Sequence, residues 1–196
     1  MDSGELIRRK TVCAETMDRI SSSTDSVHSV PTLKFVKKSG RCGFYNRKKN
    51  EVSIREKDFL SEPSTSDGVV EAVVVYELGH WADPKFDTRC RRSSVAILMS
   101  VMPAGLVALG FLVVKLFGGS DLFSLLATVA VMLGVLALHV VVPFFSWSSE
   151  YEADRFAASI MDKGSVVEFL ESLVGQRLPR PSHPSPASRA ARVRSS

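Results

Sequence analysis

Apolar residues fall along this chain in blocks, and each block has its own period. In 4–20, Leu6, Cys13, Met17 and Ile20 make a loose helical stripe, which predicts an N-terminal helix. Residues 21–29 are polar and read as a loop. Three short strand candidates follow, at 32–37, 41–45 and 51–55. Their breaks, Ser39-Gly40 and the stretch from Asn46 to Asn50, are turn-forming, so the segment predicts a small antiparallel β-meander. A polar start at 64–67 then leads into GVVEAVVVYELGHW. Its β-branched valines favour a strand. The run nevertheless continues through Glu77, Leu78 and His80 to Pro84 with no breaker, and a helix is the expectation.

Beyond it the pattern changes. Residues 95–117 read VAILMSVMPAGLVALGFLVVKLF and residues 122–145 read LFSLLATVAVMLGVLALHVVVPFF. At about 1.5 Å per residue each helix would be about 34–36 Å long, enough for a hydrocarbon core of about 30 Å. Only Gly118-Gly119-Ser120-Asp121 separates them, so the expectation is a two-helix transmembrane hairpin with both polar flanks on one side. Arg89, Arg91 and Arg92 precede the first run and the short loop has no cation, which places both flanks in the cytoplasm. Lys115, near a helix end, can snorkel to the headgroups. A buried hairpin in a soluble bundle is the alternative, disfavoured by two such runs in so short a chain. His139 is ionisable within the second run, and a neutral imidazole bonded to a neighbouring helix is its plainer reading.

After the hairpin, SSEYEADRFAASIMD at 148–162 has a serine start and an alanine-rich interior, and predicts a helix. Residues 165–178 are a second helix candidate. Residues 179–186 form a Pro/Ser-rich loop that contains His183. From Ala187, Arg189, Arg192 and Arg194 stand at near-helical spacing, as a last helix or as a basic end near anionic lipid.

Charge and cysteine content narrow the classes. The chain has 196 residues with a net charge of +4, and residues 95–145 hold a single Lys and a single Asp. A simple soluble domain, a disordered polyelectrolyte and a dedicated nucleic-acid binder are all excluded by that distribution. Cys13, Cys42 and Cys90 lie far apart with no C-x-x-C pair, which argues for free thiols in a reducing compartment. The start MDSGELIRRK has no apolar run of signal-peptide length.

Candidate chemistry lies on both sides of the apolar runs. Glu77 and His80 form an E-x-x-H pair, a weak signal alone. In H-E-x-x-H, two imidazoles on one helix face hold Zn²⁺ while the Glu works on the metal-bound water. Here Tyr76 stands in the first position. On the later helix, Glu150 and Asp154 lie four apart on one face, as a third ligand and a carboxylate that orients it would. A solvated acidic face is the plainer reading of that pair.

YELGHW and EYEADRFAA, in this order around two apolar runs, resemble the HtpX-like membrane metallopeptidases and the related CAAX prenyl proteases. Ser146 also matches that pattern, Trp147 replaces a usual Arg, and His183-Pro184 to Arg189 matches a later H-P-x-x-x-x-R element. The resemblance covers about residues 10–193 and implies an α+β fold. It implies a mainly helical metallopeptidase core, with a small antiparallel β-meander and a transmembrane hairpin between the motif helices. It implies Glu77 as general base, His80 and Glu150 as Zn²⁺ ligands, Asp154 as their supporting carboxylate, and His183 as a catalytic histidine near the substrate that stabilises the oxyanion. It further implies an edge strand that pairs with extended substrate, and protein or peptide substrates at the cytoplasmic face of a membrane.

Tyr76 departs from the pattern, and three readings stand open. The phenolate binds Zn²⁺, at the cost of losing its proton near neutral pH. Alternatively, two protein ligands hold metal weakly. The third reading is an inactive pseudopeptidase that binds peptides or a partner protein. The sequence thus predicts a membrane-bound zinc metalloendopeptidase whose activity hangs on residue 76.

Overall fold

A computed structural model describes residues 3–24, 29–37, 42–116, 121–173 and 183–196. The expected turn at Ser39-Gly40, the loop at 118–120 and most of the Pro/Ser-rich loop lie outside the described residues, as do the side chains of His139 and Ser146. The elements in order are α1 (Ser3–Ser23), β1 (Thr32–Val36), β2 (Gly43–Asn46), β3 (Glu51–Arg55), a π-helical turn at Glu56–Leu60, α2 (Asp67–Ala82), α3 (Phe86–Leu116), α4 (Asp121–Ile160), α5 (Lys163–Ser172) and α6 (Pro186–Ser195). They divide into two compact units. The first comprises Met1–Phe86, Ser149–Leu178 and Ser185–Ser196, and the second Asp87–Ser148 and Pro179–Pro184.

In the first unit α2 is the central element. Ser66 caps it by accepting from the Val69 amide, 3.2 Å away. From Val69 to Trp81 every residue but Glu71 is buried, so the helix is apolar all round and covered on all sides. This is why its valines form a helix despite their strand preference. One cover is α1, whose predicted stripe is real: Cys13, Met17 and Ile20 are buried. Arg9 on the same face donates to the carbonyls of Leu60 (2.8 Å), Glu62 (2.7 Å) and Thr65 (2.6 Å). A buried guanidinium thereby satisfies the irregular segment that leads into α2.

The sheet corrects the expected antiparallel meander. Its order is β1-β3-β2, with β1 parallel to β3 and β2 antiparallel to it. Val52, Ser53 and Ile54 are all buried, so both faces of β3 are covered and the strand sits in the middle. The β2–β3 hairpin turns at Asn50, which has a positive φ of 47°. That turn was legible; the parallel partner was not.

The second cover of α2 is α4, and a glycine sets their approach. A Cβ on Gly79 would stand 2.9 Å from Ala153 Cα and 3.1 Å from its carbonyl oxygen. Nothing larger than hydrogen fits between the two motif helices there. On the opposite side β2 closes on α2 at Gly43, where a Cβ would meet Glu77 Cγ at 3.1 Å. Helices α5 and α6 complete the unit with Val166, Phe169, Leu170, Ala190 and Val193.

In the second unit one helix among the described residues has the length and composition to cross a membrane. It is Phe86–Val113, with 28 residues and an 18-residue apolar window of mean hydropathy 2.3, none of it buried. The second expected run lies inside α4, where Leu125, Leu126, Met132, Leu133 and Leu136 are exposed. A two-helix transmembrane hairpin is not shown, because its loop and the side chains of 137–146 lie outside the described residues. Helix α4 also runs unbroken from the second apolar run through Asp154, where two separate helices were expected.

Two outcomes follow from this packing. Gly79→Ala lowers stability by about 1–3 kcal/mol, read as a fall in the thermal midpoint, because α2 and α4 must separate. Among the thiols, exposed Cys90 reacts quickly with a maleimide, and buried Cys13 and Cys42 react only on unfolding. Burial pushes the Cys13 thiol up to about 12, against a small opposing backbone hydrogen bond. Its contribution to stability is therefore whole below the free-thiol value of about 8.5 and is lost as pH climbs through the raised one.

Candidate active site

Helical spacing builds this site from three elements. Tyr76 and His80 lie four apart on α2 and face the same way, with ring centroids 4.9 Å apart in an edge-on contact. Glu150 and Asp154 lie four apart on α4. Arg189 comes from α6. All five side chains are buried.

Each polar group has a partner. The Tyr76 hydroxyl donates to Glu150 Oε2 at 2.5 Å. Arg189 Nη1 pairs with that same oxygen at 3.0 Å. The guanidinium also grips Asp154 with two bonds, Nε to Oδ2 at 2.8 Å and Nη2 to Oδ1 at 2.6 Å. Its plane lies over the Tyr76 ring, 4.8 Å from the centroid. His80 Nδ1 is 3.4 Å from Ser149 Oγ, next to Glu150 on α4. Phe169 packs on Tyr76 and Phe86 on His80, with ring centroids 5.7 and 5.1 Å apart.

Burial decides the protonation states. It raises the phenol of Tyr76 well above its ordinary pKa; the Arg189 charge pulls it down, while Glu150, Asp154 and Glu77 push it further up. The hydroxyl therefore keeps its proton and acts as a donor. Burial also works against the Arg189 charge, but the Asp154 hydrogen bond and the charges of Asp154 and Glu150 offset this, and the guanidinium stays charged. Burial raises the Asp154 carboxyl too, although the Arg189 hydrogen bond and charge oppose that shift.

The sequence-predicted residues are thus partly gathered. Tyr76, His80, Glu150 and Asp154 meet in one cluster. Glu77, on the same turn of α2, lies against Gly43 of β2. His183 belongs to the second unit. The sequence places Arg189 in the H-P-x-x-x-x-R match and in a basic tail, and neither reading makes it the partner of Glu150 and Asp154. The available signal was the pair of carboxylates at 150 and 154, because two buried anions require a cation.

His80 and Glu150 are donor types that zinc takes, and a catalytic site needs three such protein ligands. The third position here is a protonated phenol, and the Glu150 oxygen nearest it is already bonded to Tyr76 and Arg189. Among the described residues, no three His, Cys, Asp or Glu side chains are grouped to hold an ion. As arranged, this donor set does not fit a three-ligand zinc centre.

Two packed helices, one carrying E-x-x-H and the other E-x-x-x-D, form the framework of a metallopeptidase. The family model of Peptidase family M48 matches residues 45–196, and the chain belongs to that family of metallopeptidases. No curated protein and no solved structure matches the chain.

Removing the one cation leaves two buried carboxylates uncompensated. Arg189→Ala is expected to cost about 3–5 kcal/mol in urea unfolding, well beyond an exposed pair such as Arg155 with Glu152.

Proposed function

We propose that this chain is an HtpX-like, membrane-anchored member of its family that holds extended polypeptide at the cytoplasmic membrane face without cutting it. One observation carries this reading: the Tyr76 hydroxyl donates to Glu150 at the position where the family pattern has its first metal ligand. A phenol that keeps its proton offers no anionic donor, and the carboxylate it engages is occupied. The chain keeps the family framework and lacks the means to hold the ion in the usual way.

Two further features support the rest of the reading. In the described sheet β2 is an edge strand, and an extended peptide adds to such an edge by β-augmentation. It packs on α2 beside Glu77, so a bound peptide would pass close to the family's catalytic carboxylate. Several apolar side chains of α3, namely Leu98, Met99, Met102, Leu106 and Leu109, are more than half exposed, as lipid-facing residues are. Arg89, Arg91 and Arg92 precede them, in keeping with a cytoplasmic start. The partners proposed are therefore a lipid bilayer and a protein or peptide near it, with no nucleic acid.

A second reading, zinc-dependent peptide hydrolysis, is favoured by one fact: Glu77, His80, Glu150 and Asp154 all remain buried on two packed helices. Elemental analysis and casein digestion of the full chain in detergent separate the two. The expected results are zinc well below one ion per chain, binding of casein and no cleavage. Tyr76→His is expected to gain zinc and a cleavage activity that a further Glu77→Gln removes. Casein cleavage by the natural sequence that Glu77→Gln abolishes would overturn the binding reading and establish the hydrolytic one.

A further inference from the structure

We propose that Tyr76, Glu150 and Arg189 form a closed triangle of polar contacts that ties α2, α4 and α6 into one unit that needs no metal. Glu150 and Asp154 are buried carboxylates on one helix face, and such a pair repels itself unless a positive charge is inserted. The guanidinium supplies one from α6, and all three of its nitrogens are used. Nη1 goes to Glu150 Oε2 at 3.0 Å, Nε to Asp154 Oδ2 at 2.8 Å and Nη2 to Asp154 Oδ1 at 2.6 Å.

One monovalent cation under-compensates two anions, and Tyr76 makes up part of the deficit. Its hydroxyl places a donor on the same Glu150 oxygen at 2.5 Å. A tyrosine oxygen stands farther from its backbone than an imidazole nitrogen does. It therefore spans directly, with one hydrogen bond, a gap that a histidine bridges through two metal–ligand bonds of about 2.0–2.2 Å each. The guanidinium lies 4.8 Å over the ring of that tyrosine, which closes a triangle of Tyr76, Glu150 and Arg189. Its corners come from residues 76, 150 and 189, so each edge of the triangle fastens two different helices.

The inference rests on the reading that no dication sits between α2 and α4, and its test separates the two. Thermal unfolding of the full chain in detergent is measured with and without EDTA, alongside zinc content, for the natural sequence, Tyr76→Phe, Arg189→Lys and the double variant. The expected midpoint is the same with and without EDTA, and each single change lowers it by several degrees. The double change lowers it by clearly less than the two losses added, because both side chains act on one oxygen. Arg189→Lys keeps the charge and removes the bidentate grip, so it tests the geometry in a variant that still folds. Additive losses with no zinc present, or an unchanged midpoint in Tyr76→Phe, would overturn the tie alone. Stoichiometric zinc with a midpoint that drops in EDTA would overturn the tie and the metal-free reading beneath it.

Discussion

Two like charges buried one helical turn apart set the terms for the first unit of this protein. Glu150 and Asp154 cannot both be anionic in a dry interior unless something positive is placed between them. That requirement fixes α6, because Arg189 must reach back to α4. It fixes the α2 face that carries Tyr76, because the phenol must meet Glu150. The close contact of Gly79 with Ala153 makes those reaches short enough to be hydrogen bonds. Packing and electrostatics are here one constraint: the helices approach because a side chain is missing at 79, and they stay because the charges are matched.

The proposed tie gives a way for the family framework to persist with a tyrosine at position 76. Glu77, His80, Glu150 and Asp154 are all buried on two packed helices. A tyrosine on the face of His80 alters which group satisfies Glu150 while leaving the helices in place.

Much of this was legible in the sequence. The start of α2 at a serine cap, its end before Pro84 and its two chemical positions follow from local signals. So does the EYEAD helix, with its four-residue carboxylate spacing. The sheet order was not legible, because turn residues specify only the pairing of consecutive strands. The parallel β1–β3 pairing depends on β3 having both faces covered, which is a tertiary fact. The unbroken α4 was missed for a related reason: hydropathy changes sharply near Phe145, but the backbone preference for helix does not. Arg189 closes the H-P-x-x-x-x-R match, but that match names no partner for it. In a tail with Arg192 and Arg194 it looks like one of several solvated cations, and the carboxylates far upstream are the signal that it is buried.

The N-terminal helix has a consequence for how the chain can be divided. The family match begins at residue 45, beyond α1 and β1. Yet Cys13, Met17 and Ile20 belong to the same buried cluster as the valines of α2, and Arg9 satisfies three carbonyls of the approach to that helix. A fragment trimmed to the match would bare a valine-rich flank and strand those carbonyls without donors. The stretch that matches the family, 45–196, is therefore shorter than the stretch of chain that builds its own core.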